Sequence, residues 1–251
     1  MTPGQLIVAY HGCDATTRDD LVSGRLLTLN PSRNRYDWLG EGIYFFEGDI
    51  DRALMFAHNS HQNPRKMYTR RAIGTPAVVG AALCIKHCLD MTTQWGVKIF
   101  CGALHELTDA LEREGLPQPT NEAVDAADQD ILLRNLDAAV FNVIRKANFG
   151  TGMEAVQAVR GAFHQGKELA PRSGFRHNSH IQIAVRDPAC IVGWFLPPGV
   201  EQLSEEAYSK ARESRKKIES DRKPRRRATL RAGCRLAIRS PSLSMQVKKT
   251  H

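Results

Sequence analysis

Apolar positions along the chain follow two periods. In "QLIVAYHGC" (5–13) β-branched and aromatic residues crowd together and stop at a glycine, the pattern of a short buried strand entering a turn. "IYFFE" (43–47), "AVVGAALCI" (77–85) and "ACIVGWFLP" (189–197) read the same way. "HIQIAVRD" (180–187) alternates, which places His180, Gln182 and Ala184 on one face of a strand and Ile181, Ile183 and Val185 on the other. Helical spacing governs the rest. "ATTRDDLVSGRL" (15–26) offers Thr16 or Thr17 as a cap, Asp19 and Asp20 for the first turn and Gly24 as a stop. "GDIDRALMFAHNSH" (48–61) begins with a capping Asp49. From Thr92 to about Asn148 the pattern predicts helices over "VKIFCGALHELTDALERE" and "NEAVDAADQDILLRNLDAAVFNVIRKA", split by "GLPQPT". "TGMEAVQAVRGAF" (151–163) suggests a short helix and a strand.

Strands and helices do not alternate regularly, so the expected class is α+β rather than a doubly wound parallel sheet. The polar stretch "TLNPSRNRYDWLGEG" (28–42) reads as a long loop, and loops of that length in a compact domain are more often functional than decorative. The expected organisation is one body over 1–200 with a helical insertion at about 92–160. A charged helix and basic tail follow over 201–251.

Charge sharpens this division. Of 251 residues, 35 are Lys or Arg and 27 Asp or Glu, a formal net charge of +8. Residues 210–251 hold 15 of the basic and 3 of the acidic groups, net +12, which leaves 20 against 24 in residues 1–209, net −4. The tail carries the excess, and "PRRRATLRAGCRLAIRSPSLSMQVKKTH" is too polar to bury a core alone. It reads as a nucleic-acid arm, as a dock for an acidic partner such as an inhibitory protein, or as a solvated end. Without interleaved aromatics, sequence-specific stacking on single strands is not expected of it.

Six cysteines show no CxxC pair and no regular spacing, which suits a reducing compartment. Cys84, His87 and Cys88 lie in an apolar run without further ligands at fitting spacing, so core thiols are expected there and no metal. "MTPGQLIVAYHGC" lacks a basic region followed by a long apolar run, and no stretch approaches the roughly 18 apolar residues of a spanning helix. The expected location is the cytoplasm, or the cytosol of a target cell after delivery, with no membrane partner. The chain has no GxSxG elbow, no phosphate-binding GxxxxGK[ST] loop and no dinucleotide fingerprint.

Three short motifs nevertheless occur in a telling order. "YHG" (10–12) lies on the first strand, "GEGIYF" (40–45) on the second, ahead of a helix with "DRALMFA" (51–57), and "RDPACI" (186–191) ends a late strand. Together they resemble the poly(ADP-ribose) polymerase-like ADP-ribosyltransferases, whose corresponding stretches read His-Gly, "GKGIYF" and "NEYVVYDPAQI". The resemblance covers most of 6–60 and 176–197, under a third of the chain. It implies two small packed β-sheets around an NAD cleft, NAD as substrate and no metal. It further implies that His11 donates to the adenosine-ribose hydroxyl, that the Gly12 backbone pairs with the nicotinamide carboxamide, and that Tyr44 stacks on the nicotinamide ring. A second aromatic wall falls at Met55 or Phe56. Arg33 and Arg35 either meet the pyrophosphate or are simply solvated. Arg160 and Arg176 are weaker candidates for the acceptor side, and His180 is a neighbour of the site.

One departure from the family is central. Where those enzymes carry a glutamate, this chain has Gln182. An amide can hydrogen-bond a ribose hydroxyl, but it supplies no full charge and cannot act as a base. Losing a charged contact aimed at the transition state costs about 2–4 kcal/mol if nothing replaces it. The resemblance therefore implies transfer of a single ADP-ribose to a protein, RNA or DNA acceptor rather than chain extension, with Glu41 or Glu168 as conceivable replacements. A bacterial toxin or defence effector is the implied biology. The rival reading is a catalytically silent NAD or ADP-ribose sensor, or a nucleic-acid-tethered interaction module.

Overall fold

The computed structural model describes residues 4–34, 36–64, 69–124, 130–147 and 155–222. Arg35, all of "TGME" (151–154), where a short helix is expected, and the basic segment 223–251 lie outside the described residues. The elements run β1 (Gln5–Asp14), α1 (Ala15–Val22), β2 (Ile43–Glu47), α2 (Ile50–Gln62), β3 (Pro76–Ile85), β4 (Cys88–Asp90) and α3 (Gln94–Arg113). They continue with β5 (Asn121–Glu122), β6 (Leu133–Arg134), α4 (Asn135–Ala147), β7 (Ala158–Phe163), β8 (His180–Val185), a 3₁₀ turn (Pro188–Cys190), β9 (Ile191–Phe195) and α5 (Glu205–Asp221).

The class is α+β as expected, but the sheets differ from the expectation. Instead of two small packed sheets, one seven-stranded sheet runs β4-β7-β8-β2-β1-β3-β9, and β5-β6 form a separate pair. Among the described residues only β4 and β7 pair in parallel. The alternation read in "HIQIAV" holds: Ile183 and Val185 join Ile7, Phe45 and Leu83 in the core on one face, while Ala184 belongs to the core on the other. That second face is covered in two parts. α3 and α4 bring Leu107, Val140 and Phe141 against Trp38, Leu89 and Val159, and α2 seats Ala53 against Tyr10, Phe46 and Val78.

Two local expectations are corrected, each by a side chain that caps from outside its helix. α1 is capped by Asp14, not by Thr16 or Thr17: the Asp14 carboxylate accepts Thr16 N–H at 3.0 Å and Thr16 Oγ1 at 2.6 Å. The long helix expected from Asn121 starts only at Asn135. Asn121 Oδ1 accepts the N–H groups of Leu136 and Asp137 and its Nδ2 donates to Asp137, so this side chain closes the first turn of α4 from a distance. Cys88 starts a three-residue strand that periodicity is too short to reveal. Burial pushes the Cys88 thiol up to about 12, the behaviour of a core thiol, and among the described residues no group of His, Cys, Asp and Glu could hold a metal ion.

What positions the site is the way β1 leaves β2. Pairing between them stops at Ala9↔Glu47 and Tyr10↔Phe46, while β1 continues against β3 as far as Asp14↔Pro76 and β2 stays paired with β8 from Phe46 back to Ile43. The sheet is thus split from His11 onward, and a cavity opens in the split.

Candidate functional site

The cavity has a volume of about 170 Å³. A closed space of about 150 Å³ suffices for one benzene-sized ring, so the cavity is of the size of a single six-membered ring. His11 and Gly12 of β1, Tyr44 of β2, Phe56 of α2 and Gln182 of β8 all line it. Five residues spread over 172 positions of sequence thus meet at one opening.

Tyr44 is clamped by its hydroxyl. The hydroxyl donates to Gly40 O at 2.7 Å and accepts Leu39 N–H at 3.0 Å. Burial pushes its pKa well above the ordinary phenol value, with the Asp37 charge adding to the effect. The residue as a whole is half-buried, lining the cavity and packing against the core around Trp38 and Phe141, while its oxygen is bonded under the turn. The turn needs Gly40, whose φ of +81° is unfavourable for a side chain. The "DWLGEG" loop and the tyrosine after it therefore form one unit.

His11 differs from its expected role. Its Nδ1 lies 2.7 Å from Tyr44 O, across the split. A carbonyl only accepts, so Nδ1 carries the proton, and burial lowers the ring's pKa and keeps it neutral. Nε2 then has a lone pair for a ligand hydroxyl: His11 accepts rather than donates. Gly12 also has a reason other than the expected one. A Cβ there would stand 2.1 Å from Ala53 O of α2, so the missing side chain is required by helix packing against β1, whatever the backbone does on the cavity side.

Phe56 lines the cavity and tilts against Phe46 at 6.1 Å between centroids, whereas Met55 is exposed on the outer side of α2. Of the two positions considered for a second aromatic wall, the structure brings Phe56. Gln182 Oε1 accepts the Trp38 indole N–H at 2.6 Å. An indole can only donate, so this bond fixes the amide orientation and turns the NH₂ group toward other partners. Toward a ligand Gln182 offers its NH₂ donors and the second lone pair of its oxygen, but no charge.

The charged candidates divide differently from the sequence reading. Arg33 is three-quarters exposed and pairs with Glu41 at 2.6 Å, away from the cavity. Glu41 is held by Arg145 as well; burial raises its pKa, but these two guanidinium partners outweigh burial and the net direction is down. Glu168 caps Arg172 N–H in a surface loop. Neither glutamate lines the cavity. Arg160 is occupied by Glu47 at 2.6 Å and Asp90 at 3.0 Å, and Arg176 leans on Gly166 O. His180 packs between Phe163 and Phe46, its Nδ1 bonded to Asn178 O, as a buried neighbour of Gln182.

Two features were missed. Arg70 and Arg71, exposed and carried by the segment before β3, line the cavity. The doublet in "YTRRAIG" was the available signal. Asp37 also lines the cavity, although only 5% exposed. It accepts Ser32 Oγ at 2.7 Å and the Asn34 N–H, both on Oδ2. Burial nevertheless pushes its carboxyl up to about 7, against these two bonds that favour the anion.

Comparison of the chain with family models, with curated proteins and with solved structures gives no match, so function is argued from the residues and their geometry.

Proposed function

We propose that the protein binds NAD in the split between β1 and β2 and transfers a single ADP-ribose to a protein or nucleic-acid acceptor. The observation that carries this reading is the convergence of His11, Gly12, Tyr44, Phe56 and Gln182 on one ring-sized opening. In it the nicotinamide lies against the Tyr44 ring, with Phe56 as the second apolar wall. The His11 lone pair accepts a ribose hydroxyl, and Arg70 and Arg71 meet the pyrophosphate. Cleavage needs little covalent help, because the leaving nicotinamide is already a cationic pyridinium. The protein's part is to hold the ligand in a reactive pose and to exclude water from the ring.

A second reading has one observation in its favour: Gln182 is neutral and held by Trp38, able to bind a ligand hydroxyl but not to act as a base, and an NAD sensor without turnover would need no further group. One assay separates the two. Incubation with labelled NAD and a mixed lysate should place label on protein or nucleic acid and release nicotinamide, with both lost in Tyr44→Ala and His11→Ala. Saturable NAD binding without nicotinamide release selects the sensor. No NAD binding at all removes both.

A further inference from the structure

Gln182 cannot act as a base or supply charge, and its orientation is already set by the bond from Trp38. If the cavity supports transfer, a base has to stand elsewhere in it. Among the described residues, two acidic side chains line the cavity, Asp14 and Asp37. Asp14 is spent on structure: it caps α1 and its Oδ2 accepts the N–H groups of Gly74 and Thr75 at 2.8 and 2.9 Å. Asp37 differs. Both of its hydrogen bonds fall on Oδ2, so Oδ1 remains for a cavity ligand. It also precedes Trp38, so one rigid turn sets the carboxyl and, through the indole, the Gln182 amide.

Resting on the transferase reading above, we propose that Asp37 is the general base of this cavity, taking the proton of a hydroxyl acceptor as that oxygen attacks the ribose. In this step the bond between ribose C1′ and the nicotinamide nitrogen breaks, and its electron pair leaves with nicotinamide, which becomes neutral. The acceptor oxygen forms the new bond to C1′ and its proton passes to Asp37 Oδ1, then to solvent. One NAD cation and one alcohol give one ADP-ribosyl ether, nicotinamide and a proton, with no oxidant or metal required. A carboxyl with a pKa of about 7 suits the task better than an ordinary aspartate, since its conjugate base is stronger and still populated at neutral pH.

The groups around Asp37 allow its ionisation to be read. From its own loop stands Tyr36, and from β2 stands Tyr44, whose phenol stays protonated. β1 brings the neutral His11 together with Cys13, whose thiol burial also keeps protonated, and Asp14. Arg70 and Arg71 line the cavity as well, and Arg186 lies behind Tyr44. Among these, Asp37 is the group with a resolved shift that brings its titration close to neutrality.

The test uses the full chain with NAD and methanol as the hydroxyl probe, from pH 5 to 9, following nicotinamide and methyl ADP-riboside. Wild type should gain rate through one ionisation near pH 7. Asp37→Asn should lose that ionisation and fall by 10²-fold or more, with the NAD dissociation constant within a few-fold of wild type. An unchanged profile and rate in Asp37→Asn overturns the proposal while leaving the transferase reading intact. NAD binding with no nicotinamide release in wild type overturns both, in favour of the sensor. Thermal unfolding checks the carboxyl independently of NAD. Asp37→Asn should raise Tm at pH 8 and leave it unchanged at pH 4, and equal Tm values at both would remove the burdened carboxyl on which the proposal stands.

Discussion

His180 shows how a buried neighbour of the site couples the fold to pH. It is 8% exposed, stacked on Phe163 with centroids 5.5 Å apart, and burial lowers its pKa to about 4, with the Arg52 charge adding to the shift. In the unfolded chain the same ring titrates near 6.5. Below that value the unfolded state binds a proton that the folded state refuses, so stability falls as pH drops from about 6.5 to about 4. The full effect is on the order of 3 kcal/mol, with equal slopes expected nowhere else in the window from this residue. The difference between wild type and His180→Phe in urea unfolding at pH 7 and pH 4.5 isolates it from the opposite contribution of Asp37, and the variant, which keeps an aromatic between Phe163 and Phe46, should lose less stability on the acid side. Gln182, two residues on, titrates not at all, and its role depends wholly on which of its atoms Trp38 leaves free.

At the scale of elements, α5 is tied to the wall of the cavity. Arg215 Nη1 donates to Thr16 Oγ1 at 2.6 Å and Thr17 Oγ1 at 3.1 Å, and lies 3.7 Å from Asp14. Glu219 accepts Ala72 N–H, and Arg222 donates to Thr69 O. The segment carrying Arg70 and Arg71 is therefore held between β3 and a helix that comes 130 residues later. Arg215→Met keeps the apolar stem but removes the guanidinium from two hydroxyls and a buried carboxylate. We expect a loss of about 2 kcal/mol in urea unfolding and faster hydrogen exchange at Ala72 and Gly74. Retained protection there would mean that β3 alone holds the wall.

For the whole molecule, charge is the governing quantity. Residues 223–251 contain nine Lys and Arg and no Asp or Glu, and they follow directly on Arg222 at the cavity's wall. Nucleic-acid binding through this segment would fall linearly in log affinity against log salt, with a slope of about −0.7 per phosphate neutralised on a single strand. A chain ending at Arg222 should lose that affinity, measured by fluorescence anisotropy with a labelled oligonucleotide, and still bind NAD. Equal affinity in the shortened chain would move nucleic-acid contact to residues 1–222, whose net charge of −1 gives it little attraction for phosphates. Among the described residues no helix is long and apolar enough to cross a membrane.

The sequence by itself determined what local physics can determine. Period-two alternation placed Gln182 and Ile183 on opposite faces of β8, and Asp49 stood where a cap must stand before α2. The order of "YHG", "GEGIYF" and a late strand brought His11, Tyr44 and Gln182 under consideration together, and the cavity includes all three. What the sequence left open was set by partners distant along the chain. Asn121 caps α4 from 15 residues away, and Ala53 of α2, not a ligand, dictates Gly12. The direction of the His11 bond, the orientation of the Gln182 amide and the burial of Asp37 each need a neighbour in space: a carbonyl on β2, an indole 144 residues earlier, and the walls of a split sheet. Periodicity records which side of an element is apolar, but hydrogen-bond direction and the pKa of a carboxyl depend on geometry that exists only once β1 has parted from β2.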